Sequence, residues 1–225
     1  MSDLKTRSDY KGTWNQLSGS YDDARANVAG PTDEAGLDSS GQYSARMLKR
    51  FADIQPTDVV MEIGCGVGRV GKYLAPVCGT WIGADVSGNM LKHAQQRLGP
   101  VPNVKFVELS GLGLDGIPDA SVDVVYCTVV FMHLLEWDRY RYVLEAFRVL
   151  RPGGRCFMDN ADIASTHGWY LFMRSFEIEP AKRAAHLSMV SSGDELRAYF
   201  THAGFSEIQI HRWHDAWVAA VGVKP

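Results

Sequence analysis

The sequence predicts an α/β protein built on a mostly parallel sheet that closes with an antiparallel hairpin. Three observations predict it. Short apolar runs alternate with helical stretches from residue 58 to residue 160. A glycine-rich turn, GCGVG, follows the first of those runs. Near the end, SEIQIHRW and AWVAAVGV read as two strands separated only by His214 and Asp215. Strands that alternate with helices form βαβ units and so pair in parallel. A parallel crossover needs about a dozen residues or more, so the last two strands must form an antiparallel hairpin.

The elements follow in order. Residues 1–40 are polar and rich in Gly, Ser and Asp, with Tyr10, Trp14 and Tyr21 scattered among them; this reads as an irregular or partly helical arm. Residues 43–54 place Met47, Leu48, Phe51 and Ile54 at helical spacing. Gln55-Pro-Thr-Asp58 breaks the chain. DVVMEIG is the first strand, ending at Ile63, and a helix begins near residue 69. TWIGAD (80–85) is the second strand, and Ser87 caps a helix over 88–98. VKFVE (104–108) and VDVVYC (122–127) are the third and fourth strands. An amphipathic helix over 136–150 stops at the turn Arg151-Pro-Gly-Gly154, and 154–160 is the fifth strand. Residues 161–190 break the rhythm. Within them Trp169, Phe172, Met173 and Phe176 fall at helical spacing, a stripe that favours core over ligand contact. Ser192-Gly-Asp-Glu195 is a capping box for a helix ending at Gly204.

Composition narrows the function. The chain has 225 residues, 46% hydrophobic and 22% charged, as expected of one sizeable globular domain. A net charge of −3 gives no basic face for nucleic acid. The opening MSDLKTRSDYKG has no apolar core segment, so a secretory signal is not expected. No run approaches the ~18–20 apolar residues of a membrane span. Cys65, Cys78, Cys127 and Cys156 form no CxxC pair, which argues against a disulfide framework or zinc site and fits a reducing cytoplasm. Nothing in the pattern specifies an oligomeric state.

The loop EIGCGVGRVG contains two glycine registers. Gly64, Gly66 and Gly68 make GxGxG; Gly66, Gly68 and Gly71 make GxGxxG, the dinucleotide fingerprint. A strand ending at Ile63 makes Gly64 open the turn and puts Gly71 in the helix, where a small residue allows close packing on the sheet. Asp85 ends the second strand about 20 residues on, where a carboxylate can accept both ribose hydroxyls. Glu62 suits a positively charged ligand group better than a pyrophosphate.

With these residues, IPDASVDVV (117–125), VLRPGGR (149–155) and the closing hairpin, residues 43–225 resemble the class I S-adenosylmethionine (SAM)-dependent methyltransferases, most nearly their small-molecule branch. The resemblance implies a Rossmann-like three-layer sandwich on a seven-stranded sheet, with residues 1–42 as an arm or lid over the cofactor site and 161–190 as an insertion shaping the acceptor pocket. It implies that Gly64, Cys65, Gly66 and Gly68 cradle the methionine and ribose with Glu62, that Asp85 binds the ribose, and that Val86 and Met90 flank the adenine. Ser110, Gly111 and Leu112 would hold the adenine edge, although the family's Asp near that point is missing from LSGLGLDG. Thr128 and Val129 would pass beneath the sulfonium. Tyr21, with Trp14, would cover the methionine end by cation–π attraction. Cys65 and Cys127 read as small packed residues.

Methyl transfer from SAM is an in-line displacement that needs alignment more than a catalytic dyad. A base is required only if the acceptor must lose a proton. His133, just after the fourth strand, is the candidate base; capping the following helix or packing beside the cofactor is its alternative role. Asp159-Asn160, with Asp162 nearby, resembles the pair that holds a divalent metal in catechol-type relatives, but their third ligand position reads Cys127-Thr128 here. No metal is therefore expected. The expected function is methyl transfer to a small-molecule acceptor, with oxygen first and nitrogen or carbon as options. An NAD(P)-dependent oxidoreductase and a non-catalytic SAM-binding protein are the alternatives.

Overall fold

The computed structural model describes residues 8–30 and 32–225. Residues 1–7 and Pro31, part of the expected arm, lie outside the described residues, as does the His214 side chain. One seven-stranded sheet runs β3-β2-β1-β4-β5-β7-β6. Its strands are β1 (Val59–Ile63), β2 (Thr80–Asp85), β3 (Val104–Glu108), β4 (Val122–Cys127), β5 (Leu150–Ala161), β6 (Ser206–Trp213) and β7 (Trp217–Val223). The first five pair in parallel, and β7 runs antiparallel between β5 and β6. The hairpin turn at His214–Ala216 therefore lies at the same sheet edge as the carboxyl ends of the parallel strands. The strand order reverses between β1 and β4, which opens a crevice at that edge where ligands bind in such sheets.

The sheet is covered on both faces. Met61, Ile63, Val125 and Cys127 face α6 (Glu136–Val149) and α8 (Gly193–Ala203). Val60, Trp81, Tyr126 and Phe157 face α3 (Glu34–Phe51), α4 (Gly71–Leu74) and α5 (Gly88–Leu98). The caps form as the sequence dictates: Ser87 accepts from the Met90 N–H, Ser192 accepts from the Glu195 N–H, and Gly204 ends α8 at φ +97°.

Three expectations are corrected and one is sharpened. The described residues of the arm, expected to be irregular or partly helical, form α1 (Tyr10–Leu17), α2 (Tyr21–Ala29) and the start of α3. Asp9, Ser20 and Asp33 accept capping bonds that start these helices in a segment too polar to show a broad apolar stripe. The helix expected from residue 43 thus begins at Glu34. Arg151-Pro-Gly-Gly154 does not end before the fifth strand; it is an irregularity inside β5, where pairing with β4 shifts between Leu150 and Arg155 and Gly153 takes φ +78°. The stripe of α7 (Thr166–Phe176) is not core: Trp169 is 52% exposed and Phe176 is 63% exposed. Helical spacing specifies a common face, but burial needs a neighbour to cover it.

Candidate functional site

Backbone conformation selects the glycine register. Gly64, Gly66 and Gly68 have φ of +70°, +53° and +76°, whereas Gly71 shows no positive φ. A side chain strains the left-handed region, so the GxGxG residues are those the turn requires. A Cβ on Gly64 would meet Val130 Cγ2 at 2.4 Å. Gly71 opens α4, and its Cβ would meet the Trp81 ring at 2.3 Å; its role is helix–sheet packing.

The turn is tied to the end of β2. Gly64 and Cys65 N–H groups donate to the Ala84 carbonyl at 2.7 and 3.0 Å. Gly66 N–H donates to Asp85 Oδ2 at 2.8 Å, and Ser87 N–H donates to Oδ1 at 2.9 Å. Each carboxylate oxygen keeps acceptor capacity toward the crevice. Glu62 is buried beneath the turn, where Tyr126 donates to Oε2 at 2.6 Å and Trp81 donates to Tyr126 at 3.1 Å. Burial pushes the Glu62 carboxyl up to about 8, against the pull of Tyr126 and the Arg69 cation. Burial also raises Asp85 to about 6. Arg69 is buried, with Nη1 donating to the Ser40 carbonyl and Ser44 hydroxyl at 3.1 and 2.9 Å. Burial lowers its pKa, and Glu62 and Asp159 oppose that shift.

These groups line one pocket with Val86, Met90, Thr128, Val129 and His133; it spans about 800 Å³ of empty space, part of it open solvent. Val129 is a β-branched residue at φ +64°, a conformation that costs free energy and clusters at functional sites. It is held by Asp159: Val129 N–H donates to Oδ1 at 2.8 Å and Thr128 Oγ1 donates to Oδ2 at 2.6 Å. Burial raises Asp159 to about 6. Both its oxygens are engaged in shaping this turn. Among the described residues no group of three or more His, Cys, Asp or Glu side chains could hold a metal.

His133 ends a single 3₁₀ turn, Phe131–His133. It does not cap α6, whose N-terminus has no side-chain cap. Its Nδ1 lies 2.9 Å from the His186 carbonyl, and its ring meets Trp14 edge-on with centroids 4.9 Å apart. A carbonyl only accepts, so Nδ1 carries the proton, and Nε2 is the basic nitrogen of the neutral ring.

Four expected residues are not among those lining the pocket. Of the 109–112 stretch Leu109 lines it, while Ser110, Gly111 and Leu112 do not; Gly111 stands beside it, where a Cβ would lie 3.8 Å from Val86 and 4.0 Å from Tyr10. The Ser110 hydroxyl instead binds Asp115 and accepts from Leu112 N–H, folding its own loop, and Leu112 is 67% exposed. Tyr21 also falls outside the lining. Its hydroxyl donates to Glu34 at 2.7 Å and accepts from Arg97 at 2.9 Å, so it joins α2 to α3 and α5. The arm residues that do line the pocket are Tyr10, Trp14, Asn27 and Val28. Gly68 shapes the turn without lining the pocket, and its Cβ would strike Leu98. Sequence reasoning missed Arg69, although its place one residue after the third turn glycine was a usable signal. Tyr10, Val28 and Tyr142 carried none, because only folding brings them to the crevice. Cys65 and Cys127 are buried, and burial raises both thiols well above their ordinary range.

Residues 61–158 match the family model described as Methyltransferase domain. A Mycolicibacterium smegmatis protein named as a probable S-adenosylmethionine-dependent methyltransferase is 42% identical over 95 residues, 42% of this chain and 35% of its own length. The chain spans less than half the length of several other curated relatives it matches. Human thiol S-methyltransferase TMT1B is 27% identical over 205 residues, 89% of this chain and 82% of its own length. Among solved structures, magnesium protoporphyrin IX methyltransferase from Synechocystis, determined with bound S-adenosylhomocysteine, superposes with a TM-score of 0.71 at 16% identity over 98% of this chain and 100% of that one. With the GxGxG turn, the acidic end of β2 and the antiparallel closing strand already in place, these matches make the chain similar to the S-adenosylmethionine-dependent methyltransferases, with residues 61–158 as the matched methyltransferase domain.

Proposed function

We propose that the chain transfers the methyl group of SAM to a small-molecule acceptor, oxygen first, with nitrogen or carbon as options. One observation carries the reading. The glycine-turn pocket shares a wall with a second cavity, and Thr128, Val129, His133 and Arg69 belong to both. A cofactor on one side and an acceptor on the other would meet there.

The residues present fit SAM. The three positive-φ glycines give a bare backbone cradle. Asp85 would take the ribose hydroxyls, Val86, Met90 and Leu109 the adenine, Glu62 the cationic amino group and Arg69 the carboxylate. SAM supplies an activated methyl on a sulfonium. The protein aligns the acceptor with it, excludes water beneath Trp14 and Val28, and takes the acceptor proton at His133 Nε2. We read residues 1–42 as an arm closing this pocket, 43–225 as one domain and 161–190 as its insertion. α1 supports the arm reading: Asn15 accepts from the Ser87 hydroxyl at 2.9 Å, and the Asn89 amide donates to the Asn15 carbonyl at 3.1 Å. Four buried, free cysteines support a reducing cytoplasm. No helix among the described residues is long and apolar enough to cross a membrane.

Sulfur is a second acceptor reading. It is favoured by the near full-length match to a thiol S-methyltransferase. Calorimetry with S-adenosylhomocysteine and NADH tests the cofactor: binding of the first and not the second is expected, and the reverse would overturn the reading. Conversion of SAM to S-adenosylhomocysteine with oxygen, nitrogen and sulfur acceptors tests the transfer. Binding without turnover on any of them would leave a cofactor-binding protein.

A further inference from the structure

The second cavity lies on the acceptor side of the shared wall and encloses about 1820 Å³ of empty space, part of it open solvent. Residues 161–190 contribute His167, Leu171 and Ser188 to its walls. The aromatic stripe of α7 faces elsewhere; Phe172 and Phe176 line a different groove with Trp137. The aromatic walls of the acceptor cavity come from the terminal hairpin, the floor and α3. Trp213 and Trp217 are direct cross-strand partners at the hairpin turn. Phe157 tilts against Trp213 with centroids 5.6 Å apart, and Tyr43 and Met47 project from α3. Indole faces in a cavity of this kind favour flat rings over saturated ones of the same size.

The polar groups at the shared wall restrict the nucleophile. Both Asp159 oxygens already accept hydrogen bonds from the Thr128–Val129 turn. Arg69 is a cation and cannot accept a proton. His133, which lines both cavities, is the group among them whose ring can take a proton. An imidazole removes a proton effectively from an acid near a phenol (pKa about 10) or a thiol (about 8.5), and far less from an aliphatic alcohol.

Resting on the methyltransferase reading above, we propose that the acceptor is a flat aromatic ring bearing an acidic O–H or S–H, seated against Trp217 and Trp213 of the terminal hairpin rather than against α7. The acceptor proton passes to His133 Nε2. The electron pair it leaves closes on the methyl carbon, and the carbon–sulfur pair returns to sulfur, giving the methyl ether or thioether and S-adenosylhomocysteine.

The test is calorimetry on the full chain saturated with S-adenosylhomocysteine, using 2-naphthol, 2-naphthalenethiol and decahydro-2-naphthol as probes. The two aromatic probes should bind, and the saturated one should bind about tenfold more weakly. Trp217→Ala should weaken 2-naphthol about tenfold, Trp217→Phe should restore most of it, and Phe172→Ala should change it less than about twofold. S-adenosylhomocysteine affinity should be the same in all three variants, which controls for folding. Equal binding of the saturated probe, wild-type binding by Trp217→Ala, or a loss confined to Phe172→Ala would overturn the proposal. Failure of the wild-type chain to bind S-adenosylhomocysteine would instead overturn the methyltransferase reading.

Discussion

The two halves of the crevice are built differently. The β1–β2 half is made of backbone and buried carboxyls: three glycines in a left-handed conformation, Glu62 and Asp85, all within one stretch of 62–85. The β4–β5–β7 half is made of side chains from distant segments: Tyr43, His133, Phe157 and Trp217. A backbone cradle recognises what every reaction of the family shares, so its residues are constrained by geometry. A side-chain wall can change ring by ring without disturbing the strands behind it. Under the proposed reading, recognition of the cofactor and choice of the acceptor would be physically separable along a single sheet edge.

That separation can be broken or sharpened by experiment. The largest effect is expected from His133→Ala, which should lower turnover about 10²–10⁴-fold while S-adenosylhomocysteine affinity, read by calorimetry, stays near wild type. Unchanged turnover would remove His133 as the base. Next is Gly64→Ala, which places a Cβ against Val130 at φ +70°; it should cost about 1–3 kcal/mol from the backbone alone. The loss should appear both in thermal unfolding and in cofactor binding. Asp85→Asn keeps the shape but removes the charge proposed to receive the ribose, so cofactor binding should weaken about 10–100-fold. Turnover at saturating SAM should change much less.

A smaller effect is a pH dependence confined to the cofactor half. Burial holds the Glu62 carboxyl at about 8, above an ordinary 4.5, which favours its neutral form in the free protein. A bound ammonium favours the carboxylate, and binding should release a proton. Affinity should rise between pH 5 and about 8, by at most about tenfold per unit, and Glu62→Gln should flatten the slope. The ligand-free protein has the opposite sign. Its raised carboxyl contributes stability that is full below about 4.5 and is lost as pH rises through about 8. The smallest effect belongs to Trp169→Ala on the exposed face of α7. It should shift stability by no more than about 0.5 kcal/mol and leave probe binding at the second cavity unchanged.

The sequence by itself determined the alternation of strands and helices, the closing hairpin, the glycine register and the positions of Glu62 and Asp85. Each of these depends on neighbours in the chain. An apolar run with glycines after it has one local solution, and two residues between strands allow only a hairpin. His133 was legible for the same reason, since it follows a strand whose carboxyl end faces the crevice. Tertiary structure alone decided the rest. Tyr21 looked like a lid residue and became a clasp, because Arg97 and Glu34 reach it from other helices. Ser110, expected at the adenine edge, is exposed and hydrogen-bonds within its own loop. The α7 stripe had the spacing of core and found no covering element. Local pattern sets which residues share a face or a turn. Whether that face is buried, and which distant side chains complete a pocket, depends on long-range packing that no single stretch of sequence encodes.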